Sequence, residues 1–314
     1  MCLMKTPYTL RFREEYIKKE LLATELLSEW CRFPLEFSQK NMFYRCRQSK
    51  ILRQLFNYSP FFIDLVEVNS DKPFEFMFKV HGKQVFLFFM LMGNMEFYDN
   101  SNRLIAHTLE NNFLMSFYDS GLYNVKVGSG THIALVITIH PEWLEKVSLE
   151  YRNIYRILEE FNKGTNPYQA MYQGKIDRNL HRWLGKVYNS QKQDIAVFDG
   201  FLRMYMALML KHYDKLLDNH WLTFDIRQFI HENLTDENLG IDMLCEHFNL
   251  TKRALRYQFM QTFGENILTY CKNKRMELAD QLMRAGNLTI AEVYMRVGYK
   301  EESTFRYHFN RYKP

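Results

Sequence analysis

The sequence predicts an α+β protein, a β-rich barrel with a helical segment followed by an all-α region. Three observations predict it. Between about residues 33 and 138, short runs of Phe, Val, Ile and Tyr alternate with turn residues. From Pro141 onward the apolar period becomes helical. Near the end, one two-helix pattern occurs twice, at 241–263 and 289–312.

The chain has 314 residues, 47% hydrophobic and 25% charged, enough for two domains with ordinary cores. The patterns divide it into residues 1–140, a helical region 141–218, and residues 219–314. At the start, residues 11–30 have the spacing of a short amphipathic helix, with Leu21, Leu22, Leu26 and Leu27 on one side. In the strand-rich stretch, turn signals stand at 57–60, 69–73, 81–82, 99–102 and 128–130. Their spacing of roughly ten residues suggests a sandwich or barrel. Helices are expected at 143–149, 154–161, 176–188 and 198–217, with breaks at 164–167 and 190–194 and a linker at 217–222.

Several function classes are disfavoured. Cys2, Cys31, Cys46, Cys245 and Cys271 are odd in number and widely spaced, which indicates neither a disulfide framework nor a zinc site. His81, His107, His132 and His140 form no His-x-His pair, so no metal and no cofactor are expected. No phosphate-binding glycine loop or nucleophile elbow is present, and the chain is read as a non-enzyme. Charges near the start argue against a signal peptide, and the longest apolar run, 85–92, is too short to span a bilayer. A cytoplasmic protein is expected. The net charge of +5 is mild, and residues 219–314 hold 13 Lys/Arg against 12 Asp/Glu. Total charge therefore does not announce nucleic acid; only the clustering of basic residues can.

The repeats carry the strongest signal. Their second helices read ALRYQF (254–259) and TFRYHF (304–309). In each, an apolar residue (Leu255, Phe305) stands four positions before a Phe (Phe259, Phe309), so both lie on one helical face. Arg256-Tyr257 and Arg306-Tyr307 turn partly away from it. This is a helix-turn-helix pattern. Residues from about 225 to 313 resemble the DNA-binding domain of the AraC/XylS family of transcription regulators. The first unit's pattern is Leu244, Leu250-Thr251, Leu255, Phe259 and Phe263-Gly264. A linker helix is matched by Tyr270, Arg275, Ala279 and Leu282. The second unit's signature is Leu288-Thr289-Ile290-Ala291-Glu292-Val293, Val297-Gly298-Tyr299, Ser303, Phe305 and Phe309. Tyr257 and Tyr307 stand where the family usually has Arg, and the sequence stops at Pro314 before the family's usual Gly-x-Thr-Pro segment.

The resemblance implies a sequence-specific regulator that contacts double-stranded promoter DNA through the major groove. Thr251 is the expected N-cap of the first recognition helix, with Lys252, Arg253, Arg256 and Tyr257 facing the groove. Glu302, Ser303, Arg306 and Tyr307 are the matching positions on the second. Ahead of such a domain, residues 1–140 resemble in layout the family's cupin-like effector domain. That implies a small-molecule effector, and the large apolar side chains Phe74, Phe76, Phe78, Phe86, Phe88, Phe89, Met90 and Met95 point to an apolar one. The resemblance also implies a homodimer, packed through helices in 141–218, and RNA polymerase as a partner; no membrane partner is expected. The alternatives are a cupin-fold enzyme with a helical appendix, or an interaction protein that has lost DNA binding.

Overall fold

The computed structural model describes residues 5–12, 18–24, 27, 31–164, 166–188, 195–286 and 288–312. The chain divides into two compact units, Met1–Leu216 and Leu217–Pro314.

The first unit begins with twelve strands: β1 (Tyr8–Phe12), β2 (Lys18–Leu22), β3 (Lys40–Arg45), β4 (Ser49–Tyr58), β5 (Phe61–Ser70), β6 (Phe74–Val80), β7 (Gln84–Met92), β8 (Asn94–Tyr98), β9 (Leu104–Leu109), β10 (Asn112–Tyr118), β11 (Gly121–Val127) and β12 (Gly130–Ile139). Helices α1 (Pro141–Ser148) and α2 (Arg152–Lys163), short strands β13 (Tyr168–Ala170) and β14 (Gly174–Lys175), α3 (Arg178–Tyr188) and α4 (Ile195–Glu232) follow. One antiparallel sheet has the order β1-β6-β11-β8-β9. The other runs β13-β10-β7-β12-β5-β4-β3-β2, with β14 also paired to β10. The expected α+β class, with strands first and helices last, is what the chain adopts.

Side-chain alternation explains the layering. In β6, Phe76, Phe78 and Val80 are buried while Met77 and Lys79 are half-buried on the opposite face. These inward residues share one core with Val66 of β5 and with Phe86, Phe88 and Met90 of β7, so the core lies between the sheets. Strand β7 is apolar from Val85 to Met92 because both its faces are covered. Its other face carries Phe89, stacked on Phe113, which in turn meets Tyr213 of α4 edge-on at 5.4 Å. Phe117 likewise meets Phe161 of α2.

The turn signals at 57–60, 69–73, 81–82, 99–102 and 128–130 all fall at strand junctions. Gly82 and Asn102 take the left-handed conformation there, at φ 75° and 58°. Of the helix expected at 11–30, the described Leu27 is helical, with the Cys31 amide bonded to its carbonyl at 2.9 Å, but 18–22 is not helix. Lys18–Leu22 is instead a strand paired to β3, with Leu21 opposite Met42 and 69% exposed. Long-range pairing overrides the local apolar spacing, while Leu27 sits in a small cluster with Phe43 and Leu52. Leu26 lies outside the described residues. The third expected helix starts at Arg178, because the Ile176 amide bonds the Asn111 carbonyl at 2.7 Å beside β14. The expected linker at 217–222 is itself helical, since α4 runs through it. Among the described residues, no helix is long and apolar enough to cross a membrane.

One charged cluster is sealed into the strand core. Arg53 of β4 donates to Asp64 Oδ2 of β5 at 2.5 and 3.0 Å, and the Tyr8 hydroxyl donates to the same oxygen. Arg53 is 4% exposed and Asp64 not at all. Burial, reinforced by the Asp64 charge, pushes the Tyr8 hydroxyl well above its ordinary range. Removing one partner would leave a buried charge uncompensated. Arg53→Ala is therefore expected to cost about 3–5 kcal/mol, read as a lowered urea midpoint for loss of β-sheet circular dichroism.

Candidate nucleic-acid interface and interior cavity

In the second unit α4 is followed by α5 (Ile241–Phe248), α6 (Lys252–Phe263), α7 (Ile267–Arg284), α8 (Ile290–Arg296) and α9 (Glu302–Phe309). Each two-helix repeat has its own core. Leu244, Leu255, Phe259, Ile267 and Tyr270 pack with Ile226 and Ile230 in the first. Met276, Ala279, Val293, Val297 and Phe305 form the second. Helix α7 contributes to both, which makes it the beam between them.

Local chemistry explains each turn. Asn249 ends α5 at φ 51°, and Gly298 ends the turn after α8 at φ 78°. The Thr289 amide donates to the Glu292 carboxylate at 2.8 Å, as in a capping box. That bond, followed by one from the Thr289 hydroxyl, holds the Glu292 carboxyl below its ordinary range. Arg275 of α7 donates to the Leu234 and Asp236 carbonyls at 3.0 and 2.7 Å and lies 5.6 Å over the Tyr299 ring.

The sequence-predicted site residues fall into two groups. On α6, Thr251 caps the helix by accepting from the Ala254 amide at 3.2 Å. Lys252 pairs with Asp242 of α5. Arg253 and Arg256 are exposed and, among the described residues, have no acidic partner within 4.0 Å; Tyr257 is 65% exposed. On α9, Ser303 is exposed, Arg306 binds Glu302 one turn earlier at 2.6 Å, and Tyr307 is 53% exposed. The Arg311 guanidinium lies 3.9 Å over the Tyr307 ring and bonds its hydroxyl. Leu255, Phe259 and Phe305 are fully buried. The buried stripes thus leave an Arg-Tyr pair outward on each helix.

The two pairs differ electrostatically. Among the described residues Arg256 has no acidic partner, whereas Arg306 has spent donors on Glu302. The Glu302–Arg306 spacing of four was legible in the sequence, as was Tyr307 to Arg311. Asp242, ten residues before Lys252, carried no such local signal. On α7, Lys274 is held by Glu277 at 2.7 Å, while Lys272 is exposed.

The first unit has a cavity of about 60 Å³ between its sheets. Phe76, Phe78, Phe86, Phe88 and Met95 line it, whereas Phe74 packs against the same core without lining it. Phe89 faces away from it, and Met90 packs in the core without lining it. His132 braces two turns, accepting from the Asn94 amide at 3.1 Å and lying 3.1 Å from the Gly128 carbonyl.

His220, near the start of the second unit, packs against Phe224 at 4.5 Å, and burial lowers its imidazole from 6.5 to about 4. The folded protein therefore refuses a proton that the unfolded chain accepts below pH 6.5. Stability conferred by this group is complete above pH 6.5 and declines as pH falls toward 4. His220→Phe should flatten that decline by about 1–2 kcal/mol, allowing for the half-buried ring; parallel denaturant titrations at pH 7.5 and 4.5 measure it.

Residues 244–313 match the family described as a helix-turn-helix domain. Over 86 residues the chain is 33% identical to the F1 operon positive regulatory protein of Yersinia pestis, 27% of this chain and 29% of that one. It is 27% identical over 84 residues to the arabinose operon regulatory protein of Escherichia coli, 27% of this chain and 29% of that one. These matches span under a third of the relatives' length. Among solved structures, unsaturated fatty acid-bound ToxT of Vibrio cholerae aligns with 82% of this chain and 92% of its own, at 13% identity and a TM-score of 0.34. The family match over residues 244–313 falls on the same paired repeats that the sequence singles out.

Proposed function

We propose that the chain is a sequence-specific DNA-binding transcription regulator, not an enzyme, whose first unit responds to a small apolar effector. The observation that carries this reading is the pair of outward Arg-Tyr faces on two helices braced by one beam. Each helix suits the major groove, where an arginine can reach guanine O6 and N7. The groove residues in this reading are Lys252, Arg253, Arg256 and Tyr257, then Glu302, Ser303, Arg306 and Tyr307. Glu302 can accept from cytosine N4, so its pairing with Arg306 suits a site read by both.

The two helices are not equivalent. Arg256→Ala is expected to weaken specific binding by about 1–3 kcal/mol, and Arg306→Ala by less, because Glu302 already holds part of its guanidinium. Mobility shifts on DNA upstream of the protein's own gene measure both, and footprinting should show two protected grooves about 34 Å apart. Equal affinity of wild type and both variants would remove the assignment.

The regulator reading includes RNA polymerase as a partner, a cytoplasmic location, and a homodimer packed through the helical region 141–218. On α4, Val197, Phe201, Met204 and Leu208 recur at spacings of four, three and four, as on a coiled-coil seam. Val197 and Met204 are 58% and 50% exposed. Lys211 and Lys215 continue the same line. A parallel pair would set these lysines against their own copies, so the antiparallel pair is favoured. Met204→Glu should convert dimer to monomer in sedimentation equilibrium at micromolar concentration; an unchanged mass refutes this interface.

A further inference from the structure

The cavity lies beneath an open edge of the strand architecture. Strand β9 ends the five-stranded sheet and β13 ends the other. Among the described residues, no backbone ladder joins β9 to β10 or β13. A groove of about 280 Å³ follows this seam outside, lined by Leu104 and Ile105 on one side and by Pro167 to Ala170 on the other. The next residue of β9, Ala106, lines the cavity inside, as do Ser116 and Tyr118 of β10. Groove and cavity are therefore lined by consecutive residues of β9.

A polar clasp spans the seam. The Tyr168 hydroxyl on β13 donates to Asp99 Oδ2 at 2.7 Å and accepts from Arg103 Nε at 2.8 Å. Arg103 also reaches Asp99 at 3.3 Å, closing the triangle between the β8–β9 turn and β13. At about 60 Å³ the cavity is far smaller than the roughly 300–1,000 Å³ of ligand sites, so filling it requires expansion. The seam is where expansion breaks no ladder hydrogen bond.

The lining also limits what can enter. Among the described residues it contains no charged side chain, and its hydroxyls are those of Tyr8, Thr108, Ser116 and Tyr118. Tyr8 is committed to Asp64, and Thr108 donates to the Met95 carbonyl at 3.0 Å. Ser116 and Tyr118 remain for a ligand. Among the described lining residues a carboxylate would find no unpaired cation.

We propose that the β9–β13 seam is the entrance to this cavity, that the Asp99–Arg103–Tyr168 clasp holds it shut, and that the ligand is a neutral, largely apolar molecule with one hydrogen-bonding group. This rests on reading the cavity as the effector site. Because the clasp belongs to the closed form, weakening it removes a cost of binding, so loss of a contact should tighten affinity.

The test uses full-length protein without DNA and the neutral fluorophore N-phenyl-1-naphthylamine, whose emission rises in apolar surroundings. Tyr168→Phe and Arg103→Met should each lower its Kd several-fold, mainly through faster association in stopped flow. A merely structural role would weaken binding instead, and an unchanged or raised Kd in both variants overturns the clasp. Ala134→Leu and Val136→Phe, which fill the cavity, should abolish binding; retention by whichever of them keeps the native circular dichroism overturns the site. At pH 8, 1-octanol should displace the fluorophore at least tenfold more effectively than octanoate, and the reverse order overturns the ligand class. No binding by wild type overturns the whole proposal. None of these outcomes depends on DNA, so they are separable from failure of the regulator reading in mobility shifts.

Discussion

The guanidinium of Arg275 fixes how the two halves of the second unit meet. It reaches back to the Leu234 and Asp236 carbonyls, just before the first repeat, and forward over the Tyr299 ring in the second repeat's turn. Gly298 completes the joint, because a Cβ there would stand 2.9 Å from both the Leu234 carbonyl oxygen and the guanidinium. Its left-handed backbone and the close approach therefore demand the same residue. Lys300 adds a bond to Asn238 at 2.9 Å across the same joint. Two small cores that could each rock about α7 are thereby held by side chains with fixed geometry. An arginine suits this role, since its planar fork reaches two carbonyls at once while its face rests on an aromatic ring.

How much was legible in the sequence followed from the range of the interactions. The repeats were readable because a helix writes its buried face every three to four residues, and Leu255, Phe259 and Phe305 obey that rule. Strand β6 was readable for the same reason at period two. Residues 18–22 were not, because their strand character comes from β3, some twenty residues away, and not from their own spacing. Nothing in 217–222 breaks a helix, so α4 runs through it, and the change of role along the chain there brings no change of conformation. In the interface, Thr251 could be named from its side chain alone. That Arg306 is engaged and Arg256 is not depended on Glu302 and on the acid missing from the matching position on α6.

The cavity shows a sharper limit. Alternation in β6 and β7 told which phenylalanines face inward, but inward residues can either fill a space or border one. That difference rests on whether rings from two sheets meet, and Phe78 touches Phe97, Tyr118 and Tyr123 within 6.1 Å while leaving room beside them. Volume is a property of the packed ensemble of side chains, with no local signature.

The buried ion pair and the apolar cavity are best understood together. An arginine inside a strand core would ordinarily attract an anion or drag water after it. Here Asp64 and the Tyr8 hydroxyl consume that tendency: one carboxylate oxygen takes three donors, and the Tyr8 ring lies 5.3 Å under the guanidinium. Tyr8 then presents its remaining aromatic surface to the cavity. The charge is cancelled within the wall before it can act on the space inside. An interior with an unpaired arginine would select carboxylates, whereas this one, with the same arginine neutralised, selects against them. The pair costs desolvation and gains little stability over an apolar substitute. Its consequence is to tie β1 to β4 and β5 while leaving the cavity electrically silent.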